Sequence, residues 1–126
     1  MLYFRINQCD EAHGHLDRAR RIFQSLKDVG CVAQVDETRA CVFLQQGRVV
    51  EAERVGRLAV QNQEKTGRPA LLAEALITHG KALARLDRYG ASLVAFRRAF
   101  DLSEHTGSRN RAADAAVAAF QEIGEH

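Results

Sequence analysis

Gly47-Arg-Val-Val-Glu-Ala52 sets a turn former five residues ahead of a small residue, and an amphipathic run follows. The same arrangement stands at Gly14-His-Leu-Asp-Arg-Ala19 and at Asp87-Arg-Tyr-Gly-Ala-Ser92. A second marker returns with it: Gly30, Gly67 and Gly107 follow Lys27-Asp-Val, Glu64-Lys-Thr and Glu104-His-Thr. Self-similarity on this scale marks stacked helical repeats, in which one hairpin cannot bury its apolar face alone and leans on the next. The three glycines are expected as left-handed helix C-caps, because glycine meets no steric penalty at positive φ.

Apolar spacing between these markers is helical. Leu72, Ala75, Leu76, His79, Ala82, Leu83 and Leu86 form one stripe. Tyr89, Leu93, Phe96, Ala99 and Phe100 form a second, and Val49, Ala52, Val55 and Ala59 a third. No segment alternates with the period of a strand. The reading is all-α, with seven helices near residues 2–12, 15–28, 32–46, 49–65, 69–86, 89–106 and 109–123. Pro69 suits the first turn of the fifth, where a missing N–H costs nothing. The short connections make successive helices antiparallel neighbours.

Composition bounds the chain further. At 126 residues, with 46% hydrophobic and 27% charged residues, it is one soluble globular domain or one repeat array. A net charge of +2 argues for neither nucleic acid nor membrane, and no apolar run approaches a membrane span. The start, Met1-Leu-Tyr-Phe-Arg-Ile, lacks the basic and apolar regions of a secretory signal. Cys9, Cys31 and Cys41 are odd in number and lack Cys-x-x-Cys spacing, which points to a reducing, cytoplasmic setting.

These residues resemble the tetratricopeptide repeat (TPR) family, in which small residues in both helices of a hairpin let the pair pack closely. Ala40, Ala52 and Ala59 fill the family's small positions in the second repeat. Gly80, Ser92 and Ala99 fill them in the third, with Tyr89 and Phe96 at the aromatic positions. In the first, Ala19 and Phe23 fit, while Asn7 and Leu26 take the other small positions. The turn residues lie 33 and then 40 positions apart (47 − 14 and 87 − 47), so the later helices are longer than in the usual unit of about 34. Such long repeats resemble those of bacterial regulators, including the sensor domains of maltose-type activators. Asp36 and Arg39 stand where the family usually has Trp and Leu. The resemblance implies one superhelical domain of antiparallel hairpins, with repeats near 1–30, 31–67 and 68–107 and a terminal helix at 108–124.

The family's groove positions map onto Gln34, Glu37, Cys41, Leu44 and Gln45, and onto Glu74, Ile77, Lys81, Ala84 and Arg85. That is a mixed surface able to hold a peptide through paired charges and small apolar contacts. The carboxylate clamp that grips chaperone tails is missing: its positions hold Phe4, Gln8, Thr38, Glu74 and Thr78.

Other groups have plainer readings. His79 sits in an apolar stripe and is expected as a hydrogen-bonded core histidine. Asp36 and Arg39, one turn apart, are placed to pair with each other. Cys9, His13 and His15 are soft metal ligands, but His15 lies past the expected turn and no fourth ligand is evident. Basic runs at Arg18-Ala-Arg20-Arg21, Arg97-Arg98 and Arg109-Asn-Arg111 are interleaved with Asp17, Glu51, Glu53 and Asp101, as on a solvated outer face. No phosphate-cradling loop, nucleophile elbow or zinc-protease motif occurs, and no cofactor is implied.

The last helix is apolar nearly all round: Ala112, Ala113, Ala115, Ala116, Val117, Ala118, Ala119, Phe120 and Ile123. Such a helix is normally covered on more than one side. Either the chain is a fragment of a longer array, or the helix is a seated cap with alanines on its outer face, or Ala112, Ala116, Ala119, Phe120 and Ile123 form an oligomer interface. The expectation is a non-catalytic scaffold that binds a protein or peptide, with a homodimer formed through the last helix. The alternative is a ligand- or peptide-sensing segment of a bacterial transcriptional regulator.

Overall fold

The computed structural model describes residues 2–107 and 109–124, with side chains for 8–107 and 111–124. Six α-helices occupy them: α1 (Leu2–Ser25), α2 (Val29–Gln45), α3 (Val49–Thr66), α4 (Pro69–Arg85), α5 (Tyr89–His105) and α6 (Arg109–Ile123). Among the described residues there is no strand.

Five of the seven expected helices stand within a few residues of their sequence boundaries, but the first two are one helix. Gly14 lies inside α1 and does not turn the chain. A lone glycine in a helix costs about 1 kcal/mol relative to alanine, too little to break a helix of 24 residues. Gly30 is also misassigned as a C-cap. It lies in the first turn of α2, buried, at 3.5 Å (from its would-be Cβ) to the Thr66 methyl. The helix start is fixed upstream, where the Asp28 carboxylate accepts the Cys31 N–H at 3.1 Å.

The turns obey a tighter rule than the glycines announce. Positive φ occurs at Lys27, Gly47, Gly67, Asp87 and Gly107, one left-handed residue every twenty positions. After α1, α2 and α4 the hydrogen bonds repeat. The N–H groups of Asp28, Arg48 and Arg88 donate to the carbonyls of Phe23, Phe43 and Leu83. Those of Lys27, Gly47 and Asp87 donate to Gln24, Leu44 and Ala84. This double bond is a Schellman motif, which closes orphan carbonyls at a helix end. The structural period is therefore forty throughout, and Ala19 is the counterpart of Ala59 and Ala99 rather than of Ala52.

Each helix packs on the next, and the even helices also meet across hairpins, α2 with α4 and α4 with α6. Among the described residues the odd helices do not meet one another. The chain thus forms two layers: α2, α4 and α6 drawn together, and α1, α3 and α5 held apart. Small residues permit the close approach. Ala52, Ala59, Ala73, Ala82 and Ala99 are fully buried. One core cluster joins Ala40, Phe43 and Leu44 to Ala52, Val55 and Ala82. The other joins Ala59 and Val60 to Leu72, Leu76, Ala95, Ala99 and Ala115. Phe96 alone, buried to 1% exposure, contributes about 2–3 kcal/mol of apolar burial.

Candidate functional site

The contact between even helices places three helix faces side by side. A cleft of about 390 Å³ there is lined by Glu37 and Cys41 from α2, by Glu74, Ile77, Thr78 and Lys81 from α4, and by α6. The α6 contribution is Asp114, Val117, Ala118 and Gln121. A second cleft, of about 330 Å³, shares Cys41, Thr78 and Lys81 and adds Leu44, Gln45 and Arg85. Gln45 also borders a larger hollow of about 510 Å³ between α1 and α2, with Gln8, Cys9, Ala12 and Val42.

Of the groove residues expected from sequence, Glu37, Cys41, Gln45, Glu74, Ile77, Lys81 and Arg85 all line the two linked clefts. Gln34 is exposed and lines neither. Thr78 was named only as a position of the missing clamp, and Asp114, Val117, Ala118 and Gln121 were not singled out for the groove. The signal for three of them is the forty-residue period, which carries Glu74 to Asp114, Ile77 to Val117 and Lys81 to Gln121.

A polar knot holds the cleft floor. The Thr78 hydroxyl donates to Glu37 Oε1 at 2.6 Å, across 41 residues of sequence. The Cys41 thiol donates to the same oxygen at 3.5 Å and lies 3.6 Å from Thr78 Oγ1. Burial raises the Cys41 pKa and the Glu37 charge adds to it, with Thr78 and Lys81 opposing. The thiol therefore stays protonated and behaves as a small polarisable wall. Two charged ties close the site's edges. Arg111 donates twice to Glu74 Oε1, at 3.1 and 2.9 Å, and Arg85 reaches Glu122 at 3.3 Å. Both link α4 to α6. What remains open is an apolar strip, Ile77 and Val117, flanked by Lys81, Asp114 and Gln121.

The remaining candidates fall elsewhere. His79 is hydrogen-bonded as expected, its Nε2 lying 2.9 Å from Glu53 Oε2, a carboxylate that Arg57 also approaches at 3.7 Å. Asp36 and Arg39 do not pair with each other. Arg20 Nε donates to Asp36 at 2.9 Å, and Arg39 donates to Asp17 at 2.6 Å, so both reach α1. Successive α-helical turns offered a local partner, but the neighbouring helix holds the opposite charge at both places. His13 spends its ring on Gln46 (2.9 Å), and His15 meets Arg18 (3.0 Å). Among the described residues no cluster of three or more His, Cys, Asp or Glu can hold a metal ion. In the basic runs Arg20, Arg98 and Arg111 are tied to Asp36, Glu64 and Glu74. Phe4 and Arg109 lie outside the residues whose side chains are described.

In the last helix, Ala112 is not part of any outer surface: with 3% exposure it belongs to the chain's own core, beside Ala115 and Ala118. Ala116 and Phe120 are exposed, and Ala119 and Ile123 half-buried. Among the described residues no helix is long and apolar enough to cross a membrane. The chain matches no family model, no curated protein and no solved structure.

Proposed function

We propose that this chain is a TPR-like superhelical module of the long-repeat type, which binds a peptide or a helix of a partner protein and performs no chemistry of its own. The supporting observation is the convergence of seven expected groove residues on two linked clefts in the even-helix layer. Because among the described residues only the even helices meet across hairpins, we take their layer as the shorter one. A stack built this way curves with that layer inside, presenting an extended rigid surface at little ordering cost. The open strip of Ile77 and Val117 takes an apolar side chain, and Lys81 and Asp114 set the charges beside it. The setting we assign is the bacterial cytoplasm.

The test is selection of peptides on the immobilised chain, followed by titration monitored by NMR. Binding should move the resonances of Ile77, Thr78, Val117 and Gln121. Lys81→Glu or Val117→Asp should weaken the selected peptide at least about tenfold, or ~1.4 kcal/mol. A selected peptide that binds both variants undiminished would overturn the assignment of this face.

A second reading uses the same face. The forty-residue period, resembling that of bacterial regulators, suits a ligand- or peptide-sensing segment of a transcriptional regulator. It rests on likeness of architecture and would be supported by a DNA-binding segment encoded on the same polypeptide.

A further inference from the structure

The three joints at which an odd helix packs on the next even helix use the same register positions, forty residues apart. At the first, Arg20 meets Asp36 at 2.9 Å and Asp17 meets Arg39 at 2.6 Å. At the second, the corresponding Val60 and Leu76 lie together in the core, and Glu53 bonds His79 at the register where His13 lies 3.4 Å from Arg39. At the third the corresponding residues are Phe100 and Ala116, with Ala119 at the place of Arg39 and His79. Two alanines do not fill the space that charged or branched side chains fill elsewhere. A cleft of about 310 Å³ results, walled by Leu93, Phe96, Arg97 and Phe100 over Ala115, Ala116 and Ala119.

Beside this hole stands a knob. Phe120 is 74% exposed, at the register position where Ala40 and Gly80 are buried beneath the following helix. Among the described residues, four of the ten exposed bulky apolar side chains, Leu93, Val94, Phe100 and Phe120, lie on α5 and α6 outside the groove.

We infer that α5 and α6 form a two-fold self-association surface, in which Phe120 of each copy enters the α5–α6 cleft of the other. The occupant is a second copy because hole and knob belong to one chain and share one stripe of α6. Only an isologous contact fills both at once. Ala113 and Ala116, also on the outer side, let the two α6 helices approach closely. Arg97 is the one charge among the described lining residues, and it is exposed, so desolvation of charge opposes docking little. The peptide groove uses Asp114, Ala118 and Gln121 on the other side of α6, with Val117 at the border between the two faces.

Sedimentation equilibrium from about 1 to 100 µM covers the affinities expected for a contact of this kind. The unaltered chain should dimerise, and Phe120→Ser should weaken the dimer at least about tenfold. Ala116→Leu is the sharper variant. It restores to α6 the residue that α4 carries at Leu76, so the hole closes while the fold is kept and the thermal midpoint holds or rises. Added apolar surface would strengthen unspecific sticking; here it should abolish the dimer. Mixing the two variants should return weak heterodimers, since one knob still meets one open hole. A monomeric chain throughout the range, a dimer indifferent to Ala116→Leu, or assemblies that keep growing with concentration would each overturn the proposal.

Discussion

A Cβ built on Gly80 would stand 2.8 Å from Cε1 of Phe96. Here α4 and α5 pack closely, and the Ser92 hydroxyl ties them by donating to the Gly80 carbonyl at 2.7 Å. A buried aromatic ring cannot bend out of the way. Gly80→Ala should therefore lose stability although alanine favours the helix. Overpacking costs about 1–3 kcal/mol and helix propensity returns ~1, leaving a net loss of up to about 2. Urea unfolding would read it as a lower midpoint at unchanged slope. Adding Phe96→Leu to that variant should recover part of the loss.

The Arg20–Asp36 pair should prove worth less than the apolar pair at its counterpart. Asp36 is buried, whereas Arg20 keeps about a third of its side chain in water. Arg20→Val alone strands a buried carboxylate and should cost about 3 kcal/mol, the low end for a broken buried pair because of that exposure. The double change Arg20→Val with Asp36→Leu copies Val60 and Leu76 into the first joint. It should be neutral or stabilising by about 1 kcal/mol. Thermal melts of both variants decide the matter; a double variant as weak as the single one would contradict it.

Cys41 should alkylate slowly, and Glu37 is part of the reason. Burial and the neighbouring carboxylate both raise the thiol pKa, so less thiolate is present at any given pH. Glu37→Gln removes the second cause and leaves the first. The rate with iodoacetamide near pH 8 should rise several-fold without reaching that of a free thiol. The linked stability follows in sign. A thiol held above its ordinary pKa contributes stability below that pKa, and the contribution is lost as pH rises through the folded value. Alkaline destabilisation should thus be smaller in Cys41→Ala.

Lys27 carries a left-handed φ of 57° at the turn position that glycine holds at residue 47. A side chain with a Cβ is strained there, while glycine is not. Lys27→Gly should stabilise by about 0.5–1 kcal/mol after the entropy of the freer unfolded chain is counted. Asp87→Gly should gain less, because aspartate tolerates this region and Asp87 also accepts the Tyr89 hydroxyl at 3.0 Å. Chemical denaturation of the two variants side by side gives the order.

Much of this arrangement was legible in the sequence because α2 to α6 write their apolar stripes and stops in local terms. Pro69 opens α4, and Gly67 and Gly107 are left-handed as their type suggests. The first hairpin was misread because glycine was taken as the turn signal. Gly14 has nothing near it to force a break, while the real turn is made by Lys27, a residue with no such preference. The pairing of Ala12, Ala52 and Ser92, and of Ala19, Ala59 and Ala99, held the correct period. The groove was found as far as family positions on α2 and α4 reached. Its α6 wall was not, because the family positions were carried onto α2 and α4 and not forward by forty residues onto α6. Partners for Asp36 and Arg39 could not be read, since they lie on another helix at a distance that local spacing does not encode.

The even interval between left-handed residues makes the chain a tape that can be cut and spliced. Residues 29–68 run from two positions after left-handed Lys27 to one position after left-handed Gly67, one full period of forty. A second copy of that stretch, inserted after Arg68, would keep the α3–α4 joint at its far seam but would set Val60 against Asp36 at its near one, so the copy would need Asp36→Leu. Lengthening the molecule would then need no newly invented corner, only another pass through the same forty-residue sentence with that one residue changed.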